Sequence, residues 1–114
     1  MAGVEFASVH QLKEMTDYQE DAIVSRTVMG KKSGTITLFA FDESQALSEH
    51  TAPFDAMVII LDGAAEVSID AETFQLKEND MIIFPANIPH AVQAIQRFKM
   101  MLVMLKEPSA KREG

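Results

Sequence analysis

The chain has 114 residues, a length that fits one domain, and its 47% hydrophobic and 24% charged residues are typical of a globular protein. Seventeen acidic residues against ten basic ones give a net charge of −7, so neither nucleic acid nor an anionic membrane surface is an expected partner. The absence of cysteine excludes disulfides, thiolate metal sites and cysteine nucleophiles, and only three histidines are present.

We expect neither a signal peptide nor a membrane span in this sequence. The N-terminal region carries an acidic residue, Glu5, and no long apolar run. The longest apolar stretches, such as residues 56–61, are too short to cross a bilayer. These features favour a cytoplasmic protein.

The spacing of apolar residues predicts one helix followed by a series of short strands. Residues 8–15 begin with a Ser-x-x-Gln capping box and carry apolar residues at helical spacing, which predicts a helix. Asp62 and Gly63 form a turn dipeptide that predicts a hairpin. Short strands at regular spacing are typical of an all-β sandwich or barrel. The predicted strands are residues 22–29, 35–41, 57–61, 65–69, 73–76, 80–84, 90–95 and 98–105.

These elements divide the chain into three parts. The N-terminal helix and lead-in occupy residues 1–20, a barrel occupies residues 21–106, and residues 107–114 form a polar tail that we expect to be mobile. Two strands, residues 81–84 and 100–105, are apolar on both faces. Because a wet strand face would not carry this pattern, another part of the chain or a second subunit must cover it, and we expect a homodimer.

Two strand-and-turn segments each place a histidine at a strand edge. The first, residues 49–63, contains His50 and, thirteen residues later, Gly63; the second, residues 79–90, ends in His90. These segments resemble the two motifs of the cupin family, and the resemblance extends over most of the chain. It implies an all-β cupin double-stranded β-helix (jelly-roll barrel), preceded here by the short N-terminal helix.

The first family motif has two histidines one residue apart, then a glutamate, then a glycine. His50 matches the first histidine and Gly63 the glycine, whereas Ala52 stands at the second histidine position. The glutamate position is Ala56 or Met57, depending on the loop alignment.

The second family motif has a glycine, a proline, a second glycine and a histidine. Pro85 and His90 match the proline and the histidine, while Asn79 and Asn87 replace the two glycines. Asparagine also tolerates left-handed backbone, so we expect the turns of this motif to be retained.

The resemblance implies a pocket inside the barrel, where the family binds a divalent metal through three histidines and a glutamate. Only His50 and His90 are present here, and strand alternation places both inward, with Ser48 and Val92 on the same faces. Asp55 lies in the loop near the missing glutamate and could supply a carboxylate. The candidate pocket residues are His50, His90, Asp55, Ala52, Phe39 and Phe84.

Three roles remain open for the two histidines. They could bind one divalent metal (iron, manganese, nickel, copper or zinc) with Asp55 or water. They could hydrogen-bond a small polar ligand, or exchange protons with it, without metal. They could also be inert barrel residues. Three functions also stay open: a small-molecule-binding barrel, a metal-dependent enzyme of dioxygenase or isomerase type that uses His50 and His90 with Asp55 or water, and, as the family resemblance implies, a sensory or regulatory module. Whether the chain is an enzyme stays open.

Overall fold

The computed structural model describes residues 3–106, and these form eight strands and one 3₁₀ turn. The 3₁₀ turn spans Leu12–Glu14. The strands are β1 (Ile23–Lys31), β2 (Gly34–Phe41), β3 (Ala46–His50), β4 (Asp55–Ile69), β5 (Glu72–Lys77), β6 (Met81–Phe84), β7 (His90–Gln93) and β8 (Phe98–Leu105). The all-β prediction is confirmed. The predicted tail, residues 107–114, lies outside the described residues. Within residues 3–106 no helix has the length and apolar character that a membrane crossing requires.

The strands form two antiparallel layers that share β4. One layer has the order β1-β2-β8-β4-β6, and the other has the order β3-β7-β4-β5. The inward side chains of the two layers build one core, in which Phe41, Val58, Ile60, Val67 and Phe98 are at most 1% exposed. The rings of Phe41 and Phe98 stack at a centroid distance of 4.5 Å near the centre.

The predicted N-terminal helix over residues 8–15 is wrong. Only the Leu12–Glu14 turn forms there, it buries no residue, and Gln11 at its start makes no side-chain cap. Val9 is 93% exposed, so the apolar stripe that suggested a helix has no surface to pack against. Short helices in water depend on such packing, because their nucleation is unfavourable.

The predicted hairpin at Asp62 and Gly63 is also wrong, because β4 runs without a break from one layer into the other. Its pairing with β8 shifts register between Ile60 and Asp62, which marks a β-bulge. Gly63 has a φ of +75°, and a Cβ atom there would lie 2.1 Å from the carbonyl oxygen of Arg97. The glycine therefore serves a bend within one long strand, where left-handed backbone and close approach both require it.

Tyr18 attaches the segment before β1 to the barrel. Its hydroxyl donates to Asp62 Oδ2 at 2.7 Å, and its ring lies 5.0 Å from Arg97 Cζ and 5.1 Å from Lys99 Nζ. Arg97 in turn donates through Nε to Asp42 Oδ1 at 2.8 Å. Burial, followed by the contact with Asp62, raises the pKa of Tyr18. Arg97 and two backbone N–H donors lower the pKa of Asp42 to about 2.

Strands β6 and β8 carry apolar residues on both faces, as the sequence indicates. Phe84 and Met100 point into the core and are almost fully buried. On the other side of the layer Met81, Ile83 and Leu105 are 52%, 50% and 65% exposed. Within residues 3–106 no segment covers these three side chains, so the layer presents an exposed apolar surface.

Candidate functional site

The two barrel histidines lie side by side, because β3 and β7 pair His50 directly opposite His90. Their ring centroids are 4.4 Å apart with an interplanar angle of 67°, an edge-to-face contact. Phe84 stacks on His90 at 4.3 Å and 17°. His90 is therefore buried between two rings, at 6% exposure, while His50 is exposed to solvent.

A backbone carbonyl fixes the tautomer of each imidazole. His50 Nδ1 lies 2.7 Å from the oxygen of Ser48, and His90 Nδ1 lies 3.1 Å from the oxygen of Ile88. A carbonyl oxygen can only accept, so each Nδ1 must carry the proton and donate it. In the neutral ring the lone pair then resides on Nε2. Among residues 3–106 neither Nε2 atom has a hydrogen-bond partner. His50 is exposed, so its Nε2 atom is open to solvent. The described residues contain no buried side-chain nitrogen without a partner, so the unpartnered Nε2 atom of His90 also keeps some solvent contact.

Burial lowers the pKa of His90, and the neighbouring His50 lowers it further. The hydrogen bond to the Ile88 carbonyl acts in the opposite direction but is outweighed. His90 is consequently a neutral imidazole near neutral pH, with Nε2 as an acceptor or base.

Two hydrogen bonds join the loop before β7 to the loop after β3 and to Asp55, the first residue of β4. The N–H of Asn87 donates to the carbonyl of Ala52 at 2.7 Å, and the N–H of Ala86 donates to Asp55 Oδ1 at 2.9 Å. Asn87 has a φ of 64° and Asn79 a φ of 76°, which confirms that both asparagines adopt the left-handed conformation. These contacts hold together the two loops that flank the histidine pair.

The other four predicted pocket residues lie at different distances from the histidine pair and on different faces of the strands. Phe84 contacts His90 directly, and Ala52 is half-buried in the adjoining loop. Phe39 lies on β2 and packs against Phe41 at 6.1 Å, as part of the barrel wall. Asp55 is exposed, and its Oδ1 atom accepts a hydrogen bond from the Ala86 N–H. Its register on β4 puts it on the face opposite Ala56, whose side chain enters the core.

The face assigned to Ser48 is wrong, because β3 contains an irregularity that simple alternation does not anticipate. Leu47 pairs with Val92 and His50 with His90, so three steps on β3 match two on β7. The register therefore puts Leu47, which packs against the core, on the same face of β3 as His50, and it puts Ser48 on the opposite face. On β7 alternation holds, since Val92 and His90 are both buried.

The metal site that the family resemblance implies does not fit the residues present. No three His, Cys, Asp or Glu side chains in the described part of the chain lie close enough to hold a metal ion together. The donor set is two imidazoles, fewer than the three protein ligands of a typical catalytic zinc site. A concavity of about 190 Å³ on β3, β4 and β7 includes neither histidine. The third histidine, His10, lies apart from the pair, exposed, with Nε2 2.9 Å from the carbonyl of Glu5.

Sequence reasoning missed the groups that fix the pair. The acceptors are the backbone carbonyls of Ser48 and Ile88, each two residues before its histidine. Every residue has a backbone carbonyl, so the amino-acid sequence does not indicate which one will accept a hydrogen bond. The hydrogen bond from Ala86 to Asp55 was also missed. A signal for it exists, because aspartate often accepts backbone N–H groups at turns.

Comparisons with known proteins agree with this architecture. A family model described as a cupin domain matches residues 37–105. A solved structure of a conserved protein of unknown function from Streptococcus pyogenes is 39% identical, with a TM-score of 0.87, covering 95% of this chain and 97% of that one. A cupin 2 conserved barrel domain protein from Leptotrichia buccalis is 38% identical, with a TM-score of 0.80, covering 82% of this chain and 46% of that one.

Among curated proteins, a relative from Streptomyces cyaneus named polyketide synthase CurC is 25% identical over 89 residues, which is 77% of this chain. The aligned region spans 58% of the length of that relative.

Proposed function

Since this chain belongs to the cupin family, we propose that it is a small-molecule-binding barrel whose ligand contacts the Nε2 atoms of His50 and His90. The observation that carries the proposal is the adjacency of two tautomer-fixed imidazoles, 4.4 Å apart, with both Nε2 atoms unpartnered among the described residues. A polar pair against the apolar wall of Phe84 is the usual composition of a ligand site.

The proposal is independent of metal, and calorimetric titration tests this point. We expect no tight binding of iron, manganese, nickel, copper or zinc, because two imidazoles supply too few donors. A micromolar or tighter constant that His50→Ala abolishes would instead favour the metal-dependent enzyme. His10→Ala is the matched control, because it removes an exposed imidazole that lies apart from the pair.

Ligand binding can be followed through the imidazoles themselves, because the chain has only three histidines. A library of small neutral and charged organic molecules is screened by NMR for compounds that shift the His50 and His90 ring signals and leave the His10 signals unchanged. Polyketide-like compounds belong in the library, since the curated relative is named a polyketide synthase. A library in which every compound leaves both ring signals unshifted would contradict the proposal.

We also propose that the exposed apolar surface binds a second copy of the chain. The register of β4, β6 and β8 places seven apolar side chains on this one side, which we call the outer face: Met57, Ile59, Met81, Ile83, Met101, Val103 and Leu105. The charged strand residues on this side lie at its margins, Asp55 at one end and Asp62 and Lys99 at the other, so the centre of the face is free of charge and two chains of charge −7 can meet there without a like-charge contact. Residues 107–114, Glu-Pro-Ser-Ala-Lys-Arg-Glu-Gly, contain no large apolar side chain and are poorly suited to cover it.

Sedimentation or light scattering tests the dimer. We expect the natural chain to be a dimer and Ile83→Lys to be a monomer, because the new charge would be buried in the interface. Ile95→Lys is the control, since Ile95 is equally exposed, at 56%, but lies between β7 and β8 rather than on the outer face. A natural chain that is monomeric at every concentration, or equal behaviour of the two variants, would contradict the interface.

A further inference from the structure

We infer that the ligand of the His50–His90 pair is a neutral molecule that presents hydroxyl or similar hydrogen-bond donors, rather than a carboxylate or a phosphate. The inference rests on the proposed function, because it names the chemical class that this binding site selects. It follows from which nitrogen of each ring carries the proton.

Both imidazoles present acceptors and no donors. Each Nδ1–H is used by a backbone carbonyl, at 2.7 Å for His50 and 3.1 Å for His90, so the lone pair of each neutral ring is on Nε2. A carboxylate or phosphate oxygen also has only lone pairs to offer. Two acceptors facing each other repel, whereas a hydroxyl completes a hydrogen bond with Nε2.

The tautomers cannot readily exchange to suit an anion. Moving the proton to Nε2 would leave a lone pair on Nδ1 facing the lone pairs of the Ser48 or Ile88 carbonyl. Each exchange would therefore lose one hydrogen bond and create a repulsive contact.

An anion is nevertheless the competitor to test, because a positive charge lies near the loop after β3. Lys106 Nζ is 5.3 Å from the centroid of the Phe54 ring in that loop. If this lysine dominated recognition, an aromatic carboxylate would bind better than a phenol. The two explanations thus predict opposite orders of affinity.

Three probes of similar size separate these cases. Resorcinol carries two phenolic hydroxyl donors, 1,3-dimethoxybenzene has the same substitution pattern with acceptors only, and benzoate is an anion. Binding is measured by NMR at pH 8 in the presence of EDTA, through the ring signals of His50 and His90, with His10 as internal control. Resorcinol is suitable because its two hydroxyls are too far apart to chelate one metal ion.

We expect resorcinol to shift both barrel imidazoles and to bind at least ten-fold more tightly than either other probe. Benzoate or 1,3-dimethoxybenzene binding to the pair as tightly as resorcinol would overturn the inference while leaving the proposed function intact. If none of the three probes shifts the His50 or His90 signals, the inference fails together with the binding of such molecules at this pair.

A second measurement needs no ligand. The ¹⁵N shifts of the imidazoles report which nitrogen carries the proton, and we expect the Nδ1–H tautomer for both His50 and His90. A predominant Nε2–H tautomer at either residue would overturn the inference, whatever ligand the barrel binds. His50→Gln adds a donor at the same place, so its preference for resorcinol over benzoate should shrink.

Discussion

Replacing Gly63 with alanine tests the bend in β4 most directly. The new Cβ would lie 2.1 Å from the Arg97 carbonyl oxygen, and the backbone has a φ of +75°. Left-handed backbone costs a residue with a Cβ about 1–2 kcal/mol, and forcing an atom into filled space costs about 1–3 kcal/mol. Gly63→Ala should therefore lower the free energy of unfolding by about 2–5 kcal/mol.

Two other glycines separate the two contributions. At Gly34 an added Cβ would lie 2.2 Å from the Met104 carbonyl oxygen, without positive φ, so Gly34→Ala should cost only the steric part, about 1–3 kcal/mol. At Gly30 the nearest atoms are 3.9 Å away. Gly30→Ala should therefore be neutral or stabilise by up to about 1 kcal/mol, because it reduces the freedom of the unfolded chain.

Urea denaturation of the three variants measures these differences, provided that the m-values agree. Equal stabilities for Gly63→Ala and Gly34→Ala would refute the argument from left-handed backbone. Stabilities of both variants within about 0.5 kcal/mol of Gly30→Ala would refute the steric argument as well.

Three titrations provide further predictions. Tyr18 is the only tyrosine, so ultraviolet titration should show phenolate forming above its ordinary pKa of 10.0, and Asp62→Asn should lower that midpoint. The unfolded chain loses this proton first, so the free energy of unfolding should fall as pH rises above 10. For Asp42, with a pKa of about 2 against 3.8 when unfolded, stability measured in urea should fall as pH drops through this window, and less so in Arg97→Met. For His90, the NMR midpoint should lie below 6.5, and its contribution to stability should be lost as pH falls below 6.5.

Each titration has an outcome that contradicts its premise. A Tyr18 midpoint that Asp62→Asn leaves unchanged would mean that the hydrogen bond does not form in solution. An Arg97→Met variant with the acid sensitivity of the natural chain would exclude the ion pair with Asp42. A His90 midpoint at or above 6.5 would mean that the ring is not desolvated by Phe84 and the barrel wall.

The strand pattern and the inward direction of His90 could be predicted because they depend on local alternation. On β7 the period of two is unbroken from His90 to Val92, so residue spacing alone gives the correct face. The family resemblance placed His50 and His90 in the same site. Strand alternation alone gives the face of each histidine but not which residues of distant strands lie together.

The errors arose where tertiary contacts override local preference. Val9 has helical spacing but nothing to pack against, so no helix forms. Asp62 and Gly63 have the composition of a turn, yet β8 pairs across them and keeps the strand extended. On β3 the shift between Leu47 and His50 reverses the face of Ser48, and only the partner strand determines where such a shift falls.

The length of β4 has a consequence for how the barrel unfolds. Its fifteen residues hydrogen-bond with β5, β6, β7 and β8, so neither layer can separate from the other without opening this one strand. The barrel should therefore lack an independently unfolding half and should lose its structure in a single cooperative step. Hydrogen exchange of the β4 amides would then report the global free energy of unfolding, while the edge strand β1 exchanges through smaller openings. The loops that bring His50 and His90 together are attached to this slowly exchanging strand, so the ligand would meet a site assembled before it arrives.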